Sequence, residues 1–84
     1  MIVVKLMRHL YNVFVTTFYD EEVKEVDKAL RDKCDVIYFL RSELLKEFYH
    51  WRVKCDIDLE EYLAKILEPD DKIVWFKVEK VDLK

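Results

Sequence analysis

The chain has 84 residues and a formal net charge of −3, and 52% of its residues are hydrophobic. A chain this apolar is not intrinsically disordered, and it contains no window of 18 apolar residues that could span a membrane. At this length a single core is only just sufficient. The sequence therefore predicts one domain over residues 1–84 and favours oligomerisation.

The composition is biased towards heat adaptation. The chain has no glycine and one proline, and charged residues of both signs make up 39% of it. This bias is typical of proteins from hot environments, so a thermophile or one of its viruses is the expected source. The apolar run in residues 1–8 is interrupted by charges and has no signal-peptide cleavage site, so a cytoplasmic location is expected. The two cysteines fit a reduced compartment or, in a hyperthermophile, one intracellular disulfide.

The first predicted elements are a strand and a helix. From Ile2 to Tyr19 the odd and the even positions are both largely apolar, and residues 11–19 are rich in β-branched and aromatic side chains. This pattern predicts a long, buried strand. Such a strand would project past a compact sheet and seek a partner. Asp20 is a suitable N-cap, and Glu21 adds negative charge to the first turn. The predicted apolar stripe of the helix consists of Val23, Val26, Ala29 and Leu30.

The next two predicted strands form a hairpin. The first covers Asp35–Arg41, and the second, Phe48–Ile57, alternates more cleanly than any other stretch, with apolar odd positions and mostly polar even ones. A hairpin centred between Leu44 and Leu45 opposes four apolar pairs. These pairs are Leu40 with Tyr49, Tyr38 with Trp51, Val36 with Val53, and Cys34 with Cys55. The two cysteines are thus expected to be neighbours, as a disulfide or as two buried thiols.

A second helix and a fourth strand complete the chain. Asp58 and Glu61 form a capping box, and Pro69 ends the helix. The alternating stretch Ile73–Val81 predicts the last strand. The apolar stripe of this helix is predicted to contain Leu59, Tyr62, Leu63, Ile66 and Leu67. With right-handed crossovers, the order β-α-β-β-α-β predicts an α+β ferredoxin-like plait, a four-stranded antiparallel sheet with both helices on one face.

The sheet face turned away from the helices is the predicted interaction surface. It carries too many large aromatic side chains to be left in water. A second copy of the chain, the N-terminal segment, a protein partner and nucleic-acid bases are the candidates to cover it. The residues expected to form this interaction face are Phe14, Phe18, Phe39, Phe48, His50, Arg52, Lys54 and Trp75.

Two stretches of this face suggest a particular ligand. Val13–Phe18 and Lys46–Val53 resemble the two strand motifs of RNA-recognition motif domains. The resemblance implies that outward rings stack on bases and that nearby cations meet phosphates. These residues are Phe14, Phe48 and His50 for the bases, and Lys46, Arg52 and Lys54 for the phosphates. The chain departs from the family pattern at Glu47, where the family has glycine, and at Tyr49, where it has a small residue.

The sequence contains no clear catalytic or metal-binding motif. The histidines and cysteines are not spaced at the two-to-five-residue intervals that zinc ligands favour, so no metal site is predicted. The only serine, Ser42, lies in a predicted turn without a supporting histidine and acid. We therefore expect a protein that is not an enzyme and that needs no cofactor.

Acidic charge is concentrated late in the chain. Residues 56–71 hold seven acidic side chains against one lysine. Such a run is usually a solvated surface, but it also suits a mimic of nucleic acid that blocks a basic groove. The leading hypothesis is a homodimeric, non-enzymatic plait that binds another macromolecule as an inhibitor or regulator. The alternative is a single-stranded nucleic-acid binder, with RNA as its ligand, that uses the aromatic and basic sheet face.

Overall fold

The computed structural model describes residues 9–81, which form four strands and two helices. In chain order these are β1 (His9–Thr17), α1 (Asp20–Lys33), β2 (Cys34–Arg41), β3 (Phe48–Cys55), α2 (Leu59–Leu67) and β4 (Ile73–Val81). The predicted continuation of the first strand over residues 2–8 lies outside the described residues. The observed bounds of β4 are those predicted from its alternation.

The four strands form one antiparallel sheet in the order β2-β3-β1-β4. β1 and β3 lie at its centre, where Val13 pairs with Trp51. Because side chains alternate along a strand, this register places the odd positions of both strands on one face. The predicted α+β class, with a four-stranded antiparallel sheet and two helices, is confirmed.

One hydrophobic cluster joins the odd-numbered side chains of β1 and β3 to both helices. Trp51 is fully buried in this cluster, and its indole N–H donates a hydrogen bond to Asp27 Oδ1 of α1 at 3.0 Å. The buried helix residues are Val26 and Leu30 in α1 and Leu59, Leu63 and Leu67 in α2. Since a single cluster includes side chains of both helices, both helices pack against the same face of the sheet.

The two helices begin differently. As predicted, Asp58 caps α2, because its side chain accepts a hydrogen bond from the Glu61 backbone N–H at 3.2 Å. In α1 the cap position is Tyr19, and Asp20 lies inside the first turn, where its charge still complements the helix dipole. Ile66 was expected in the buried stripe of α2 but is exposed, because the buried row repeats every four residues and does not pass through it.

The β2–β3 hairpin follows the predicted register only in its first part. Cys34 lies opposite Cys55 as expected. A bulge at Ile37 then adds one residue to β2, so that Tyr38 lies opposite Arg52. Because successive side chains alternate between faces, the extra residue moves the rest of β2 to the opposite side from that expected. The two pairs predicted beyond the bulge are therefore wrong.

Cys34 and Cys55 form a disulfide bond, and their Cα atoms lie 4.6 Å apart. This separation is typical of directly opposed residues that do not exchange backbone hydrogen bonds. Both cysteines belong to the core cluster, and Cys34 follows the last residue of α1. The bond therefore fixes the end of α1 and the start of β2 to the end of β3. It joins residues that are 21 positions apart in the sequence.

Loss of the disulfide is expected to lower the free energy of unfolding by roughly 3 kcal/mol, since the bond restricts the unfolded chain. Guanidinium unfolding of oxidised and fully reduced protein measures the difference. The variant Cys34→Ala/Cys55→Ala is the control, because its unfolding midpoint should fall comparably and should not respond to a reductant. An unfolding midpoint that is the same for the oxidised and the reduced wild type would contradict this expectation.

Candidate functional site

The sheet face opposite the helices, called the open face below, carries an aromatic row and a polar network. It consists of the even positions of β1 and β3, the odd positions of β4 from Trp75 onwards, and, on β2, Asp35 before the bulge and the even positions beyond it. Ile73 is not part of it, because a register shift at Val74 places Ile73 opposite the buried Thr17. Its main members are Asn12, Phe14, Thr16, Tyr38, Leu40, Phe48, His50, Arg52, Lys54, Trp75, Lys77 and Glu79. The site is thus built mainly on the two central strands that also form the core.

Four rings, those of His50, Phe14, Phe48 and Trp75, form the aromatic row. The centroids of His50 and Phe14 are 4.5 Å apart and their planes are 19° from parallel. Phe48 follows at 5.9 Å from Phe14, and Trp75 at 6.3 Å from Phe48, again with nearly parallel planes. Parallel rings at these distances are offset-stacked, so each ring turns a face towards its neighbour. The four rings therefore form one continuous stacked row across the face.

Tyr38 closes the row on the β2 side. Its ring meets His50 edge-on, with centroids 5.2 Å apart and planes at 89°. The Arg52 guanidinium lies over the Tyr38 ring, 5.7 Å from its centroid, in a cation–π contact. The imidazole of His50 thus lies between two aromatic rings and close to a permanent positive charge.

Two of the residues predicted for the interaction face lie elsewhere. Phe39 is on the helix side, where its ring lies 4.8 Å from that of Trp51, because the bulge at Ile37 reverses the faces of β2. Phe18 lies beyond the end of β1 and is 71% exposed, since the strand ends at Thr17, whose hydroxyl donates to the Lys72 carbonyl. The remaining predicted residues lie on the open face, and they are Phe14, Phe48, His50, Arg52, Lys54 and Trp75.

The polar network is centred on Asn12, which is 8% exposed. Its Oδ1 accepts a hydrogen bond from Arg52 Nε at 3.0 Å and lies 3.2 Å from His50 Nε2. Its Nδ2 donates to Glu79 Oε1 at 3.4 Å. Because Oδ1 can only accept, the Nε2 atom of neutral His50 carries the proton. Parity places Asn12 on this face, but Asn12, Glu79 and Tyr38 are not among the predicted interaction residues, although a lone asparagine inside an apolar strand is a usable signal.

The cations of the open face already have partners on the protein. Lys77 Nζ lies 3.7 Å from Glu79 Oε2. Arg52 contacts both Asn12 and Tyr38, and Lys54 also has an interaction within the chain. Among the residues named above, the three cations Arg52, Lys54 and Lys77 share the face with the carboxylate of Glu79. The open face is a mixed surface and not a strongly basic one.

His50 is the titratable group at the centre of the site. Burial of the imidazole lowers the pKa of His50 below the ordinary value of 6.5. The positive charge of Arg52 lowers this pKa further, whereas the negative charge of Glu79 raises it. The imidazole is therefore neutral at pH 7. In that form it acts as an aromatic ring that also donates one hydrogen bond.

A second, acidic surface lies away from the open face. A side-chain hydrogen bond joins Glu22, in the first turn of α1, to Asp70, between α2 and β4, and it raises the pKa of Glu22 and lowers that of Asp70. The contact brings the acidic start of α1 next to the acidic segment 56–71. Both residues are half-buried, and they lie outside the open face.

Comparisons with protein-family models, curated proteins and solved structures find no match for this chain. Within residues 9–81, no helix is long and apolar enough to cross a membrane. Across the same residues, no three His, Cys, Asp or Glu side chains are grouped so that they could hold a metal ion.

Replacing Arg52 by glutamine is expected to raise the pKa of His50, because it removes a nearby positive charge and keeps a donor for Asn12. The rise should be partial, since burial is the larger cause of the shift. An NMR titration of the imidazole resonances measures it. Lys77→Gln is the matched control, as it removes a charge from the same face that does not act on His50. A His50 pKa at or above 6.5 in the wild type would contradict the described environment.

Proposed function

We propose that this chain is a non-enzymatic interaction module that forms a homodimer through its open face and binds another macromolecule with its remaining surface, as an inhibitor or regulator. The aromatic row carries the proposal. It is a contiguous group of large rings on a sheet face, and Trp75 at its end is 47% exposed. Exposed apolar surface of this kind marks an interaction site.

A second copy of the chain suits this face better than a polyanion does. Base stacking needs free ring faces, whereas the four rings of the row already stack on one another. Phosphate binding needs available cations, whereas Arg52 and Lys77 are already engaged. Two copies of the face can meet about a two-fold axis, and rings of one copy can fill the gaps beside those of the other.

We also propose that the fold is a ferredoxin-like plait formed by a single domain. Read from the other edge, the strand order is β4-β1-β3-β2, and both helices pack on one face, which supports this assignment. The glycine-free, charge-rich composition supports a thermophilic source or one of its viruses. In such a source, a disulfide is compatible with a cytoplasmic location.

Binding of single-stranded RNA is the second candidate function, and one observation favours it. The ring of Trp75 lies at the end of the row, is 47% exposed, and has Lys77 two positions along the same strand face. Fluorescently labelled single strands titrated at two salt concentrations test it, because phosphate contacts make affinity fall steeply with salt. Our leading proposal expects no binding at low salt, and tight, salt-sensitive binding would replace it.

A negative charge placed in the aromatic row is expected to dissociate the homodimer. Trp75→Glu should raise the dimer dissociation constant by about 30-fold or more, since a central interface aromatic contributes about 2 kcal/mol and the change occurs in both copies. Sedimentation equilibrium over a concentration series measures this constant. Circular dichroism should show that the variant remains folded, because the Trp75 side chain is half exposed in one chain.

Val74→Glu is the matched control for this variant. Val74 is the neighbour of Trp75 in β4, is 61% exposed, and lies at the register shift between β1 and β4, outside the aromatic row. The same change in charge there should leave the dissociation constant within a few-fold of the wild type. Two results would contradict the proposal: a wild type that sediments as a 10.3 kDa species at every concentration, or a control that dissociates as readily as Trp75→Glu.

A further inference from the structure

We propose that the homodimer formed by the open face is pH-sensitive, and that protonation of His50 separates the two copies. The inference rests on the proposed function, because it names a regulation of the same surface. It goes beyond that function by assigning to one side chain the control of assembly.

The first step is the position of His50. It lies on the central strand β3, inside the aromatic row, with Phe14 stacked on it at 4.5 Å and Tyr38 edge-on at 5.2 Å. Its Nε2 lies 3.2 Å from Asn12 Oδ1, and the residue is only partly exposed in one chain. A second copy that covers the row must therefore also cover His50. Association then removes the imidazole from most of its remaining water.

The second step is the set of groups that face His50. The two that carry charge at neutral pH are Arg52 on β3, which disfavours an imidazolium, and Glu79 on β4, which favours one. Tyr38 is the group that β2 provides, and β1 provides Asn12 and Phe14, which do not titrate. Asn12 Oδ1 already accepts from the Arg52 guanidinium. In a symmetric dimer, protonation would place two imidazolium and two guanidinium groups within one apolar interface.

The third step is the direction of the pH effect. Further burial disfavours the charged form, so the pKa of His50 is lower in the dimer than in the single chain. The dimer then binds fewer protons than the separated chains. The dimer is therefore most stable at pH values above the pKa that His50 has in the single chain, and it weakens as the pH falls through that value. With two copies of His50, the dissociation constant rises by up to about 100-fold per pH unit and levels off below the pKa of the dimer.

The experiment measures the dimer dissociation constant of the full chain from mildly alkaline to mildly acidic pH. In the wild type the constant should rise more than about tenfold as the pH falls below the His50 pKa, within the limit of about 100-fold per pH unit that two titrating copies set. In His50→Gln, which keeps an amide donor but takes up no proton, the constant should not vary with pH, whatever its value. His9→Gln replaces the other histidine and should keep the wild-type pH dependence.

A second measurement needs no variant. The His50 pKa obtained by NMR should fall as the protein concentration rises and dimers form. Three results would overturn this inference without contradicting the homodimer. They are a wild-type dissociation constant that is independent of pH, a pH dependence that persists in His50→Gln, and a His50 pKa that does not change with protein concentration. A wild type that is a single chain at every pH overturns the homodimer and this inference with it.

Discussion

The pairing of β1 with β3 is the constraint on which the rest of this structure depends. One register, in which Val13 lies opposite Trp51, directs the odd side chains of both strands into the core and the even ones onto the open face. The same register brings Phe14 next to His50. Stability and the candidate site are therefore coupled, since a one-residue slip would expose Trp51 and bury the polar network.

The core side of this arrangement is well specified by sequence. β3 alternates strictly, Asp58 and Glu61 mark the start of α2, and the bounds of β4 follow from its own alternation. β2 behaves differently, because both parities are apolar between Val36 and Leu40 and no period distinguishes its two faces. A symmetric hairpin register was therefore the natural expectation. The bulge at Ile37 depends on tertiary packing. It places Tyr38 on the open face, where Phe39 was expected.

The sequence predicts which side of the sheet forms the open face but not how the side chains on it are arranged. On β1, β3 and β4 the aromatic side chains and the cations could be assigned to it from parity alone, whereas on β2 parity failed for Phe39 and Tyr38. The stacking of the rings depends on side-chain rotamers chosen by neighbours on three strands, and sequence parity does not encode them. The arrangement of the rings matters for function, because rings that stack on one another have less of their faces left for a partner than separate rings have. Asn12 likewise gains its role only when the sheet brings Arg52, His50 and Glu79 around it.

The central claim is that two copies meet through the aromatic row. An isotope-filtered NOE experiment on a mixture of labelled and unlabelled chains tests it most directly, because it records only contacts between copies. The account predicts intermolecular NOEs among the ring protons of Phe14, Phe48 and Trp75. Intermolecular NOEs confined to the helices, or the absence of any at concentrations where the protein is dimeric by sedimentation, would contradict it.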